Sequence, residues 1–190
     1  MRKLLLFIAV ATLGLTSSCS SDDAKNPCEG IVCLNDGYCA NGSCVCPEGF
    51  TGSNCSQQVT PSVIRIHKIE VTKFPPTRPN GGGWDTNGTA PDIYPEIRLG
   101  EALIWSSSSS YAQNAIHTQT YTFTPNPIIS LTNVGSQYSI ILYDYDDFSS
   151  DEFMGGINFV PYQSNNNFPE IITLDAGGTV AFKLYVSYAW

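Results

Sequence analysis

Cysteine is missing from residues 56–190: all seven cysteines of this 190-residue chain lie between Cys19 and Cys55. The longer part must therefore be held by its core alone, while the short part is dense enough in thiols to be stapled. Such confinement argues against an intracellular enzyme with scattered thiols. Positive charge is scarce too, with 9 Lys and Arg against 17 Asp and Glu and a net charge of −8. No cationic stripe exists to neutralise phosphates, which excludes nucleic acid as the partner. After residue 15 no apolar run approaches the roughly 20 residues of a membrane-spanning helix. Helical periodicity is lacking as well. Thr, Ser, Ile, Val and Tyr, with 16 glycines and 12 prolines, describe strands and turns.

What is present begins with an address. Met1-Arg2-Lys3 is a positive n-region, and Leu4 to Leu15 is an apolar stretch of signal-peptide length. It runs through Thr16-Ser17-Ser18 into Cys19. The segment resembles a bacterial lipobox, with Thr16 where a hydrophobic residue is usual. The resemblance implies that residues 1–18 are removed and that Cys19 is lipidated, beginning a tether over residues 19–27. The alternative is an ordinary secretory signal cut near Ser18, which leaves Cys19 free and the protein secreted. Two or more acyl chains anchor a protein stably. Losing Arg2 and Lys3 moves the net charge from −8 to −10. Asp22-Asp23 resembles the acidic export signal of surface lipoproteins in Bacteroidetes-type bacteria, which implies a lipid-anchored place on the outer membrane, exposed at the cell surface.

Six cysteines remain, spaced C-x4-C-x5-C-x4-C-x-C-x8-C over residues 28–55. So short a segment cannot bury enough apolar surface to fold alone, so cross-links replace the core. Spacing leaves the pairing open. Cys44-Val45-Cys46 and Pro47-Glu48-Gly49-Phe50-Thr51-Gly52-Ser53-Asn54-Cys55 resemble an EGF-like domain. That resemblance implies the pairs Cys28–Cys39, Cys33–Cys44 and Cys46–Cys55. Asp36-Gly37 and Asn41-Gly42 read as turn pairs. Ala24-Lys25-Asn26-Pro27 lacks the paired acids of the calcium-binding subtype, so the module reads as a disulfide-rich spacer, followed by a linker over residues 56–62.

Residues 63–190 read as an all-β domain. Val63 to Val71 alternates apolar and polar with one break in phase. Further strands are expected at 93–98, 102–106, 117–124, 128–132, 138–143, 156–160, 171–174 and 179–187, separated by turn residues such as Pro79-Asn80-Gly81-Gly82-Gly83. Short, regular strands of this kind form an antiparallel β-sandwich. His67 and His117 read as strand-surface residues, and Trp105 and Trp190 as packing residues.

Acidic residues cluster twice in this sparsely charged chain, at Trp84-Asp85 to Asp92-Ile93-Tyr94 and at Tyr143-Asp144-Tyr145-Asp146-Asp147 to Asp151-Glu152. Asp144 and Asp146 alternate by two, so both project from one face at a strand end. Carboxylates packed together cost stability without a cation, and oxygen ligands on loops suit calcium. These positions, with Phe153-Met154-Gly155 and the closing strand Gly178-Thr179-Val180-Ala181-Phe182, resemble a C2 domain. The resemblance implies an eight-stranded antiparallel sandwich with Asp85, Asp92, Asp144, Asp146 and Glu152 as calcium ligands and Asp151 as a rival for the last. A single strand before the first acidic loop implies the circularly permuted, type II topology. Trp84 and Phe148, each near an acid, are candidate membrane or ligand contacts; packing under the loops is the alternative.

No nucleophile–base signature, phosphate loop or metal-hydrolase motif marks an enzyme. The expected function is a calcium-dependent surface module engaging anionic phospholipid, acidic glycan or protein. The alternative is a calcium-independent adhesion protein working through protein–protein contacts.

Overall fold

In the computed structural model, which describes residues 25–85, 88–147 and 149–190, Asn41 and Gly42 turn the chain at positive φ between β1 (Tyr38–Ala40) and β2 (Ser43–Val45). A two-residue hairpin loop requires that conformation at both positions. The expected signal peptide and Cys19 lie outside the described residues. Three disulfides close the module, Cys28–Cys39, Cys33–Cys44 and Cys46–Cys55. A second ribbon pairs β3 (Phe50–Thr51) with β4 (Gln57–Gln58). The first residues of the expected linker are therefore tied back to the module rather than spanning free.

In β5 (Val63–Lys73) the apolar set runs Ile64, Ile66, then Ile69 and Val71, and all four are fully buried. The break in phase is a β-bulge. Lys68 pairs with Tyr185 and Ile66 with Val186, so His67 is the extra residue. One unpaired position thus absorbs a slip that would otherwise turn half the strand inside out.

The remaining strands are β6 (Ile93–Leu99), β7 (Ala102–Ser106), β8 (Tyr121–Phe123), β9 (Ile129–Leu131), β10 (Tyr138–Asp144), β11 (Glu152–Phe159), β12 (Ile171–Leu174) and β13 (Ala181–Ala189). One sheet has the order β11-β10-β6-β7; the other is β12-β13-β5-β8, with β9 also on β5. All described pairings are antiparallel. β8 pairs with Ile69–Val71 and β9 with Ile64–Ile66, so the two segments lie end to end along one edge of β5. The sandwich therefore has eight strand positions, four in each sheet. The inner faces meet in a core that includes Ile93, Ile97, Ile140, Leu142, Phe182 and Leu184, each fully buried.

Two expectations change. Residues 117–120 form a turn, and the strand begins only at Tyr121. β11 starts at Glu152, four residues before the expected start, because a register shift between Leu142 and Tyr143 leaves Met154 as an extra residue. Pairing then resumes with Phe153 opposite Tyr143 and Glu152 opposite Asp144.

Module and sandwich meet through aromatic rings. Phe50 packs edge-on against Phe168 at 5.4 Å, and Phe168 against Trp190 at 5.1 Å and Tyr188 at 5.3 Å. The Trp190 indole N–H donates to the Val59 carbonyl at 3.0 Å, and the Val59 N–H donates to the Gly49 carbonyl at 2.8 Å. Phe168 holds a positive φ of 48° at the centre of this contact, a conformation disfavoured for an aromatic residue and kept only where its surroundings impose it.

Candidate functional site

β5 ends, β6 and β11 begin, and β10 ends at one pole of the sandwich, opposite the pole where the module joins at Ser62. Sheet register assembles the acids there. Ile93, Asp144 and Glu152 are neighbours across β6, β10 and β11, so Asp92 lies immediately outside the sheet beside them. Asp85, Asp92, Asp146 and Glu152 line one cavity of about 460 Å³, together with Arg78, Thr89, Asn114, Tyr145, Asp147 and Ser149.

Asp144 sits beneath this cup. It occupies the inward parity of β10, after Tyr138, Ile140 and Leu142, and has 0% exposure. Its Oδ1 accepts from the Asp92 N–H at 2.7 Å. Its Oδ2 is buried with no hydrogen-bond partner, and so is Asp146 Oδ2. Burial pushes the Asp144 carboxyl up to about 7, against the Asp92 N–H that lowers it, and the charges of Asp85, Asp146 and Glu152 add to the rise. A carboxylate placed where the strand expects an aliphatic side chain, with one oxygen unmatched, needs a cation or a proton.

The other acids are differently engaged. Asp92 Oδ1 accepts from Asn114 N–H at 2.7 Å, and its carbonyl accepts from Tyr145 N–H at 2.7 Å. Asp85 accepts from the Thr89 hydroxyl. Glu152 accepts from Arg78 Nη2 at 2.5 Å. Asp151 is turned away into a structural role: it accepts from the Tyr94 hydroxyl at 2.5 Å and from Asp146 N–H at 3.1 Å. Between the two rivals, Glu152 is the one that lines the cavity. Burial first, and then the bond to Asp151, raises the Tyr94 phenol well above its usual range.

A hard, oxygen-preferring cation matches this donor set in type, and the two unmatched buried oxygens give it a reason to enter. Yet among the described residues no three Asp, Glu, His or Cys side chains are grouped as a metal site. With Glu152 on Arg78 and Asp85 on Thr89, the carboxylates are held in separate bonds.

Of the two readings of Trp84, packing under the loops is the one the structure shows. It is 3% exposed, belongs to the core, and donates its indole N–H to the Pro75 carbonyl at 2.9 Å. It is thus unavailable to a membrane. Phe148 lies outside the described residues. Phe153, at 62% exposure, is the large apolar side chain that β11 presents beside the cup. Sequence reasoning also passed over Arg78, Asn114, Tyr145 and Asp147 as cavity residues. The signal for Arg78 was available, since it is the only cationic residue between Lys73 and Arg98. Elsewhere, His67 Nε2 lies 2.6 Å from Ser187 Oγ on the outer sheet face. Among the described residues no third group hydrogen-bonds the imidazole to orient it for catalysis.

No family model matches the chain, and no curated protein matches it. Among solved structures it is similar to a C2 domain at 15% identity, over 66% of this chain and 97% of that one, with a TM-score of 0.42. It is similar to a single C2 domain of plant extended synaptotagmin 1 at 14% identity, over 70% and 99%, with a TM-score of 0.39. It is also similar to a calcium-bound structure of two C2 domains of extended synaptotagmin 2, at 18% identity, over 68% and 47%, with a TM-score of 0.40.

Proposed function

We propose that this chain is a surface-anchored binding module whose acidic loop cup takes up calcium and thereby engages an anionic ligand. One observation carries the reading: the fully buried Asp144, with an unmatched oxygen, lies beneath five further acids around one cavity. Asp85, Asp92, Asp144, Asp146 and Glu152 would hold the ion. When bound, calcium supplies positive charge and open coordination positions for an anionic ligand's oxygens. The chain's own residues do the rest. Asp92 and Asn114 fix the cup wall through backbone bonds, and the Asp151–Tyr94 pair holds the loop that carries Asp146. The processed chain, at −10 without Arg2 and Lys3, would otherwise repel an anion.

Isothermal titration of chelator-stripped protein is expected to give a calcium Kd of about 0.1–1 mM, the range of extracellular calcium modules. Asp144→Ala combined with Asp146→Ala is expected to abolish it. Absence of heat at millimolar calcium, or an unchanged affinity in the double variant, removes the metal from the reading. Partner capture that persists in chelator would then favour calcium-independent adhesion.

The anchor is proposed at Cys19, with residues 1–18 removed. Wild-type protein is expected in the detergent phase of a Triton X-114 separation and the Cys19→Ser variant in the aqueous phase. Equal partition of the two would point to plain secretion.

A further inference from the structure

We infer that Arg78 is the cup's resident counter-cation, and that the Arg78–Glu152 pair and calcium uptake exclude one another. The inference rests on the calcium reading above and concerns its regulation.

Arg78 is the one cationic side chain lining the acidic cavity among the described residues. A tight turn delivers it: Arg78 N–H donates to the Gly82 carbonyl and Gly81 N–H to the Arg78 carbonyl, each at 2.9 Å. From that turn Nη2 reaches both Glu152 Oε2, at 2.5 Å, and the Trp84 carbonyl. One nitrogen serves both acceptors, while Nε is buried with no partner. A guanidinium held securely by a carboxylate normally uses two parallel N–H bonds. This grip is therefore a partial one, between side chains that are 27% and 30% exposed, and an incoming charge can break it.

Electrostatics makes the exclusion reciprocal. A divalent ion that takes Glu152 oxygen removes the acceptor from Arg78 and repels the guanidinium across the same small cavity. Conversely, the paired Arg78 lowers the negative charge that draws a cation in. The arginine thus keeps a metal-free cup tolerable to the fold and sets the calcium concentration at which the cup fills.

Calcium titration of the full chain and of Arg78→Gln at low ionic strength tests this. The variant is expected to bind about three- to tenfold more tightly, as the loss of one partly exposed charged hydrogen bond predicts, and Arg78→Lys is expected to fall between. An affinity that is unchanged or weaker in Arg78→Gln overturns the inference and makes Arg78 a brace. Should Arg78→Gln fail to fold, the Nε–H resonance of Arg78 in wild-type protein gives the same answer. It is expected to shift with the midpoint of calcium binding; a resonance unmoved at saturation overturns the proposal. Uptake by neither protein sinks the calcium reading itself. Uptake by wild type without a gain in the variant sinks only the role of Arg78.

Discussion

Asp144→Asn is expected to stabilise the calcium-free protein at pH 8 and, in the same molecule, to remove its response to calcium. The carboxylate is fully buried, its Oδ2 has no partner, and its charged neighbours Asp85, Asp146 and Glu152 share its sign. Asparagine keeps the acceptor for the Asp92 N–H and replaces the unmatched charged oxygen with a neutral amide group. Because the folded-state value lies near 7, above the ordinary 3.8, the folded protein holds the proton more tightly than the unfolded chain. The contribution of the protonated group to stability is complete below about pH 4 and is lost as pH rises through about 7. At pH 8 the wild type therefore carries a cost on the order of a few kcal/mol that the variant escapes. At pH 5 the gain should shrink. Melting temperatures in chelator and in calcium, at both pH values, check this. A variant less stable than wild type in chelator at pH 8 would falsify the account of Asp144 as a strained, cation-seeking group.

Gly49→Ala is expected to separate the module from the sandwich without unfolding either. Gly49 has a φ of +86°, and an added Cβ would lie 2.5 Å from Trp190 Cζ2 and 2.9 Å from Phe168 Cε2. Neither ring can retreat easily, since Trp190 is bonded to Val59 and Phe168 is clasped by Phe50, Tyr162 and Tyr188. Overpacking and left-handed strain together cost about 2–4 kcal/mol, and the contact between the units is the cheapest to give up. Faster proteolysis within residues 56–62 and a red shift in Trp190 fluorescence are the expected signs. Trp190→Ala, which leaves the Gly49 backbone unstrained, should reproduce the proteolysis. Wild-type resistance in both variants would show that the rings do not couple the units.

Much of the sandwich was legible because a strand buried on one face prints its period on the sequence. The break in β5 was visible as Ile66 to Ile69, although its meaning as a bulge at His67 needs the partner strand. β11 was misjudged at its start for a related reason. Glu152-Phe153-Met154-Gly155 looks like loop chemistry, and only the shift at Met154 lets it pair. The same shift decides which of Asp151 and Glu152 turns to the cavity, something alternation in one strand cannot settle. The acids of both loops were readable because charge is rare here; their surroundings were not. Arg78 reaches Glu152 across 74 positions, and Phe50 meets Phe168 from the disulfide-linked module. Such long-range pairs leave no local period, and Trp84 beside Asp85 could not show from its neighbours that it faces the core.

β5 joins the two ends of the molecule: its first residue follows the module and its last leads to the loop of Arg78 and Asp85. Eleven residues at about 3.3 Å each make it roughly 35 Å long. It is paired along both edges, by β13 on one side and by β8 and β9 on the other. A pull between a ligand in the cup and the chain's N-terminus would load this strand lengthwise. Its ladder bonds lie across that direction, so they would be sheared together and not unzipped in turn. The three disulfides beyond it limit how far residues 28–55 can extend. The architecture is that of a tension member, stiff along the line from the disulfide-linked module to the cup.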